Sequence, residues 1–194
     1  MITPIGNDLA ANEVALRAGK CGVGRVPDFV EHKLSCEVGG LVQGPLETEL
    51  IDRKKLRFCP PVGVMSVIAA QEAFAEAGLP LEELRERRIA IIGGVAGSNY
   101  IEVFNEADKY IRTDYRLRNV SPYSVPRVMP SSAISNLSLI FGITGESYDI
   151  SAACASSALS ILVGTRLIRS GQYDIVLAGG AEQIDWVQAL GFCA

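Results

Sequence analysis

Several features that would indicate particular functions are scarce or absent in this sequence of 194 residues. It has one histidine and five scattered cysteines without a CxxC pair, so neither a zinc site nor a disulfide framework is predicted. The net charge of −4 gives no indication of binding to nucleic acid or to an anionic membrane. No apolar run approaches the roughly 20 residues of a membrane span, and the N-terminus lacks a basic-then-apolar signal pattern. We therefore expect a protein of the reducing cytoplasm.

The composition that remains is that of an ordinary globular protein, with 48% hydrophobic and 21% charged residues. Short apolar runs typical of buried strands alternate with longer segments of helical periodicity. The predicted strands cover residues 88–93, 147–150 and 175–178, and the predicted helices include residues 102–111, 125–140 and 155–169. Strands alternating with helices predict a layered α/β fold with a mainly parallel sheet. No linker or charge block interrupts the chain, so residues 1–194 are predicted to form a single domain.

Earlier segments carry the usual signals for helix ends. A helix is predicted over residues 7–18, with Asn7 as its N-cap and Gly19 just beyond its C-terminus. Residues 21–44 contain many glycines and short β-type runs, which indicates a loop with weak strands.

A further helix is predicted between Pro60-Pro61 and Gly78. Proline favours the first helical turn, and glycine favours the position just past the end. Val67 and Phe74 fall on one apolar stripe of this helix.

The most informative segment is residues 151–157, with the sequence SAACASS. It places Cys154 between the strand 147–150 and the helix 155–169, on the first turn of that helix. Unpaired backbone N–H groups and the helix dipole at this end favour a thiolate over a thiol. A thiolate is a nucleophile, and the small neighbouring residues leave room for an acyl group. The alternative is that Cys154 is a small buried hydrophobic residue, as most cytosolic cysteines are.

This segment, with residues 171–182 (GQYDIVLAGGAE) and Trp186, resembles the nucleophile region of the β-ketoacyl-ACP synthases. These are the condensing enzymes of fatty acid synthesis and have the thiolase fold. Residues 51–58 (IDRKKLRF) and 121–123 (SPY), with Met129, are similar to the synthase I subtype. The resemblance implies a thiolase-like α/β fold, of which this chain would be the N-terminal half of the layered αβαβα arrangement.

The resemblance also implies a chemistry, a decarboxylating condensation of acyl-ACP with malonyl-ACP. By motif position, Cys154 is the residue that accepts the acyl group, and its backbone N–H is one oxyanion donor. The two histidines that the family uses for the condensation step lie in the second half of the family pattern, and most of its opening strand is also missing here. The single histidine, His32, lies in a polar run and is predicted to be a solvated surface residue. We therefore expect this polypeptide alone to lack condensation activity.

Further residues receive roles only through the resemblance. Four basic residues align with positions that contact acyl carrier protein: Arg53, Lys54, Arg57 and Arg118. The alternative is a solvated basic face without a partner. Tyr123 and Met129 fall in a segment that lines the acyl cavity and the dimer interface of the family, although core packing accounts equally well for Met129. A homodimer formed through the strand 147–150 is expected.

Residues 93–98 (GGVAGS) follow a strand but lack the GxGxxG spacing, so they do not predict a nucleotide site. Their glycines are expected to permit a close backbone approach near the acyl pocket. No metal and no other cofactor is expected. Two alternatives to an acyltransferase remain, a non-catalytic partner subunit and an inert fragment of a condensing enzyme. The presence of Cys154 argues against the first, because such partners usually replace the nucleophile.

Overall fold

The computed structural model describes residues 1–97 and 99–194. Its helices are α1 (Leu9–Arg17), α2 (Pro27–Glu31), α3 (Pro61–Glu76), α4 (Tyr100–Arg112), α5 (Ser124–Val128), α6 (Ser132–Phe141), α7 (Ser156–Arg169) and α8 (Trp186–Cys193). Its strands are β1 (Gly24–Arg25), β2 (Val38–Gly39), β3 (Ile89–Gly94), β4 (Ser147–Ile150) and β5 (Ile175–Gly180). Short 3₁₀ turns cover Lys55–Arg57, Leu81–Glu86 and Leu117–Asn119. None of the helices described is long and apolar enough to cross a membrane.

The chain divides into two compact units, one of which is the continuous segment Thr48–Gln183. Its sheet has the strand order β4-β3-β5, and both neighbours run parallel to β3. Parallel neighbours require crossover connections, which the helices between the strands provide. The predicted parallel α/β arrangement is therefore confirmed.

The central strand β3 is buried on both faces, as its continuous apolar sequence predicts. Its side chains alternate between two cores because successive residues of a strand point to opposite faces. Ile89 and Ile91 pack with helices α3 and α6, whereas Ala90 and Ile92 pack with Leu167 of α7. The unit thus has three layers, with helices on both faces of the sheet.

The other unit consists of Met1–Glu47 and Ile184–Ala194. Here β1 and β2 form a two-residue antiparallel pair, and the core contains Val26, Phe29, Leu34 and Ala189. The prediction of a loop with weak strands for residues 21–44 is confirmed, with the addition of helix α2. Helix α8 was not predicted; it begins after Asp185, whose carboxylate accepts a hydrogen bond from the Gln188 amide at 2.9 Å.

Two predicted helix boundaries are wrong. The N-cap of α1 is Asp8 and not Asn7, because the Asp8 carboxylate accepts from the Ala11 amide at 2.7 Å. The helix predicted over residues 125–140 is broken into α5 and α6. Pro130 explains the break, since proline pushes the preceding residue into the extended region, and Met129 has φ −68° and ψ 134°.

Other helix ends agree with their predictions. Pro61 is the first residue of α3, and Val67 and Phe74 are buried on its inner face. Gly19, Gly78 and Gly171 follow α1, α3 and α7 with φ between +64° and +71°. Glycine adopts this left-handed conformation without the steric penalty of a Cβ atom.

Candidate active site

Cys154 lies in the turn that joins β4 to α7. The strand ends at Ile150, and the helix begins at Ser156 with Ala155 as its N-cap. Cys154 therefore precedes the helix and is not on its first turn, and the helix starts one residue later than predicted. Its side chain is exposed and its thiol is free, so it is not the buried hydrophobic residue of the alternative interpretation. Cys154 thus lies between the end of β4 and the amino end of α7, as expected.

The turn is closed by hydrogen bonds on both sides of Cys154. The Ala155 and Ser156 amides donate to the Ala152 and Ala153 carbonyls, each at 3.1 Å. Ala153 has φ +49°, a left-handed conformation that is uncommon for a residue with a Cβ atom. The chain thus reverses sharply immediately before the cysteine, as in the strained strand-to-helix turns that expose nucleophiles in other enzymes.

Two glycines allow α7 to approach the sheet closely. A Cβ atom on Gly94 would lie 2.4 Å from the Ser156 carbonyl carbon, and one on Gly180 would lie 2.5 Å from the Ser157 Cβ. The predicted close backbone approach at the glycine segment is confirmed for Gly94, whose partner is α7, whereas Gly93 faces the Ile134 side chain of α6. Ser98, the last residue of that segment, lies outside the described residues. Gly180 was not predicted, because its partner is not local in the chain.

Polar contacts connect the loops at the carboxyl end of the sheet. The Val95 amide donates to the Asp149 carboxylate at 2.9 Å, and burial raises the pKa of Asp149 despite this hydrogen bond. The Gln183 side chain donates to the Asn99 side chain at 3.0 Å and accepts from the Val62 amide at 3.3 Å. These contacts join the segment after β3 to strand β4, and the segment after β5 to Asn99 and to the first turn of α3. They were not predicted, because single polar residues carry no signal for partners so far along the chain.

An apolar cavity of about 160 Å³ lies between the sheet and helices α3 and α6. Its walls include Ala70, Ile91, Ile134 and Leu177. As far as the described residues go, its lining includes none of the three residues that the sequence suggested for acylation and the acyl pocket, namely Cys154, Tyr123 and Met129. The cavity is aliphatic, and aliphatic walls suit a hydrocarbon group better than a polar one.

Tyr123 and Met129 lie at the two ends of α5. The Tyr123 ring packs edge-on against Phe58, with ring centroids 4.9 Å apart, and the Arg57 guanidinium lies 6.0 Å from its centroid. Met129 is 43% exposed, which excludes core packing as the explanation for it in this structure. Met129 thus lies at the surface of the unit, where a ligand or a second protein can reach it, whereas Tyr123 is half-buried.

The four predicted docking residues Arg53, Lys54, Arg57 and Arg118 are all exposed. In the part of the chain that the structure describes, none of them forms an ion pair within 4.0 Å. The segment that carries three of them forms a local turn, in which the Asp52 carboxylate accepts from the Lys54 and Lys55 amides at 2.8 and 2.9 Å. These bonds hold the pKa of the Asp52 carboxyl below its usual range.

His32 belongs to the other unit and is exposed, as predicted. Its imidazole stacks on the Trp186 indole with ring centroids 3.9 Å apart, and its Nδ1 lies 2.8 Å from the Asp28 carbonyl oxygen. Among the described residues, no group of three or more His, Cys, Asp and Glu residues is arranged to hold a metal ion.

With this geometry in view, comparison with known proteins shows the family. The family model for the β-ketoacyl synthase N-terminal domain matches residues 1–194. The chain belongs to the β-ketoacyl synthase family. It is 34% identical over 196 residues to 3-oxoacyl-[acyl-carrier-protein] synthase 1 of Haemophilus influenzae, covering 100% of this chain and 47% of that protein.

Solved structures support the same assignment. A crystal structure of a β-ketoacyl synthase from Burkholderia phymatum STM815 superposes with a TM-score of 0.86 at 26% identity, covering 98% of this chain and 47% of that one. A type II polyketide ketosynthase in complex with its acyl-carrier protein superposes with a TM-score of 0.77 at 16% identity, covering 98% of this chain and 50% of that one. The predicted thiolase-like α/β fold is confirmed. This β-ketoacyl synthase chain spans about half the length of the relatives it matches.

Proposed function

We propose that this chain provides the nucleophile half of a 3-oxoacyl-ACP synthase of fatty acid biosynthesis. Cys154 accepts the acyl group from acyl-ACP as a thioester, and the released carrier thiol takes the proton. The observation that carries the proposal is an exposed, free cysteine held between a parallel strand and a helix N-terminus, in a chain that belongs to this family. Its backbone N–H serves as one oxyanion donor, since negative charge develops beside the sulfur during transfer.

The carrier protein docks on the basic residues Arg53, Lys54, Arg57 and Arg118. These residues are exposed and form no ion pairs with the residues that the structure describes, so their charge is available to an acidic partner, which long-range attraction steers toward the site. Arg57 is further held beside the Tyr123 ring. Tyr123 and Met129 form part of the surface over which the acyl chain and a second subunit pack.

A homodimer in the cytoplasm is the proposed assembly. Strand β4 lies at the edge of the described sheet, with β3 on one side only, so its other side is available for pairing with a second copy. The carbanion step requires the two family histidines, and His32 does not replace them. The chain alone therefore performs acyl transfer without condensation.

Acyl transfer is tested by mixing the purified chain with acyl-ACP and locating the acyl adduct by peptide mass spectrometry. We expect the adduct on Cys154 and its loss in Cys154→Ala, whereas Cys21 and Cys36 remain unmodified. Comparable acylation of all exposed cysteines, or an adduct that survives Cys154→Ala, would refute the assignment. Steady formation of 3-oxoacyl product from added malonyl-ACP would refute the lack of condensation.

Docking is tested with Lys54→Glu/Arg57→Glu. Reversal of two steering charges should slow acyl transfer about tenfold at low salt, and the difference should shrink at high salt. Arg166→Glu/Arg169→Glu is the matched control, because it reverses the same number of charges at two exposed cations in the last turn of α7. Equal rates for the docking variant and this control would exclude the basic segment as the docking site.

A further inference from the structure

The turn before Cys154 holds one residue in an unfavourable conformation. Ala153 has φ +49°, where its Cβ approaches the following carbonyl oxygen. A non-glycine residue stays in this region only when surrounding contacts hold it there. Because Ala153 immediately precedes the cysteine, its backbone angles determine the direction in which Cys154 leaves the strand.

The Ser156 hydroxyl makes contacts that hold it. Its Oγ accepts a hydrogen bond from the Ala152 amide at 2.8 Å and donates one to the Ala153 carbonyl at 2.7 Å. The first group belongs to the Ser151–Ala152 peptide and the second to the Ala153–Cys154 peptide, so a single hydroxyl connects the two peptides that flank residues 152 and 153. Ser156 is 2% exposed, which protects both bonds from competition with water.

Ser156 is itself fixed to the sheet. Its carbonyl group packs against Gly94, where a Cβ atom would lie within 2.5 Å of the carbonyl oxygen. The residue that carries the bridging hydroxyl is thus held against the sheet by its own backbone.

We infer that Ser156 is a positioning residue for Cys154. It holds Ala153 in the left-handed conformation and thereby presents the Cys154 sulfur to the acyl donor. Ser156 acts through the backbone and does not touch the reacting atoms. The inference rests on the proposed acyl transfer, but the state of the turn is measurable without that reaction.

The test compares Ser156→Ala and Ser156→Thr with Ala153→Gly/Ser156→Ala, all in the full 194-residue chain. The first readout is NMR of the turn, which gives the hydrogen-exchange rate of the Ala152 amide and the backbone chemical shifts of residue 153. The second readout is the rate of acyl transfer to Cys154. Ser160→Ala is the matched control, because it removes a buried hydroxyl of the same helix that does not contact Ala152 or Ala153.

We expect Ser156→Ala to accelerate the exchange of the Ala152 amide about tenfold and to slow acyl transfer about tenfold. Changes of this size are expected because the variant loses hydrogen bonds of ordinary net strength. Ser156→Thr keeps a hydroxyl and should restore both readouts. Glycine at residue 153 adopts positive φ without strain, so the double variant should recover most of the acyl-transfer rate. Ser160→Ala should lower stability and leave both readouts unchanged.

Several results would overturn the inference. One such result is a folded Ser156→Ala variant whose Ala152 amide exchange and residue-153 chemical shifts equal those of the wild type. Another is a Ser160→Ala variant that changes these readouts as much as Ser156→Ala does. If Ser156→Ala does not fold, the double variant decides, and its failure to fold would show that Ser156 serves general stability only. If wild-type Cys154 takes no acyl group, the proposed function fails, whereas the role of Ser156 in the turn is still decided by the NMR readout.

Discussion

Gly94→Ala should be among the most damaging single-methyl additions in this sheet. Gly94 is the last residue of β3, and its added Cβ would lie 2.4 Å from the Ser156 carbonyl carbon and 2.5 Å from the Ser157 amide nitrogen. Both are backbone atoms of the first turn of α7. They cannot rotate away as a side chain can, so the helix start must move away from the sheet.

The size of the effect follows from these distances. Ordinary van der Waals contact begins near 3.4 Å, so the helix must retreat by about 1 Å. Overpacking of a well-packed site costs about 1–3 kcal/mol, and we expect about 3 kcal/mol because the clash involves backbone atoms only. For a chain of this size, each kcal/mol lowers the melting temperature by about 2–4 °C, which gives a decrease of about 6–12 °C.

Two neighbouring glycines provide graded controls. A Cβ on Gly93 would lie 2.1 Å from the Ile134 Cδ1, but this is the end of a flexible side chain beside the aliphatic cavity, so the cost should be smaller. A Cβ on Gly179 would meet nothing within 4 Å, so Gly179→Ala should change stability by less than about 0.5 kcal/mol. The expected order of destabilisation is Gly94→Ala, then Gly93→Ala, then Gly179→Ala.

The measurement is urea unfolding followed by circular dichroism, with thermal melting as the second probe. Alkylation of Cys154 by iodoacetamide in the same samples reports whether the turn has moved with the helix. If Gly94→Ala unfolds within about 0.5 kcal/mol of Gly179→Ala, the close approach of α7 to β3 does not exist as described and the reasoning is refuted.

Further predictions concern a buried thiol and a helix cap. Burial raises the pKa of the Cys59 thiol from its ordinary value of 9.0 to about 11, and the folded state therefore favours the neutral form. This contribution to stability is complete below about pH 9 and is lost between about pH 9 and 11. Over that interval the unfolding free energy of the wild type should fall by about 2–3 kcal/mol more than that of Cys59→Ala. Parallel curves of unfolding free energy against pH for the two proteins would contradict this prediction. Asp8→Ala removes the N-cap of α1 and should lower the free energy of unfolding, measured in urea, by about 1 kcal/mol. Asp8→Asn keeps a side-chain acceptor and should retain most of that stability. If both variants lose the same free energy, the charge of Asp8 and not its cap hydrogen bond is the cause.

Local chemistry made much of the fold predictable. An uninterrupted apolar run predicted the buried strand β3, and paired prolines with a downstream glycine predicted both ends of α3. These signals depend on steric limits of single residues, which act before any tertiary contact forms. The break at Pro130 belongs to the same class and could have been predicted, but the helical periodicity on both sides concealed it.

Helix boundaries near the site were harder to predict. The helix that follows Cys154 starts at Ser156, because the turn hydrogen bonds and the Ser156 hydroxyl hold residues 152–155 in a non-helical path. The two adjacent serines in SAACASS do not indicate which hydroxyl turns back toward the strand. Only the completed turn shows that it is Ser156.

The amino-acid sequence by itself determined the three strands of the parallel sheet, their order along the chain and the cysteine between strand and helix, because these depend on apolar periodicity and on the local preferences of glycine and proline. The tertiary structure alone decided that β4 and β5 flank β3, that Gly94 and Gly180 face the start of α7, and that Ser156 bridges Ala153. Those relations join residues far apart in the chain or depend on which of several equivalent groups comes within hydrogen-bond reach. Such distances exist only once the layers have packed.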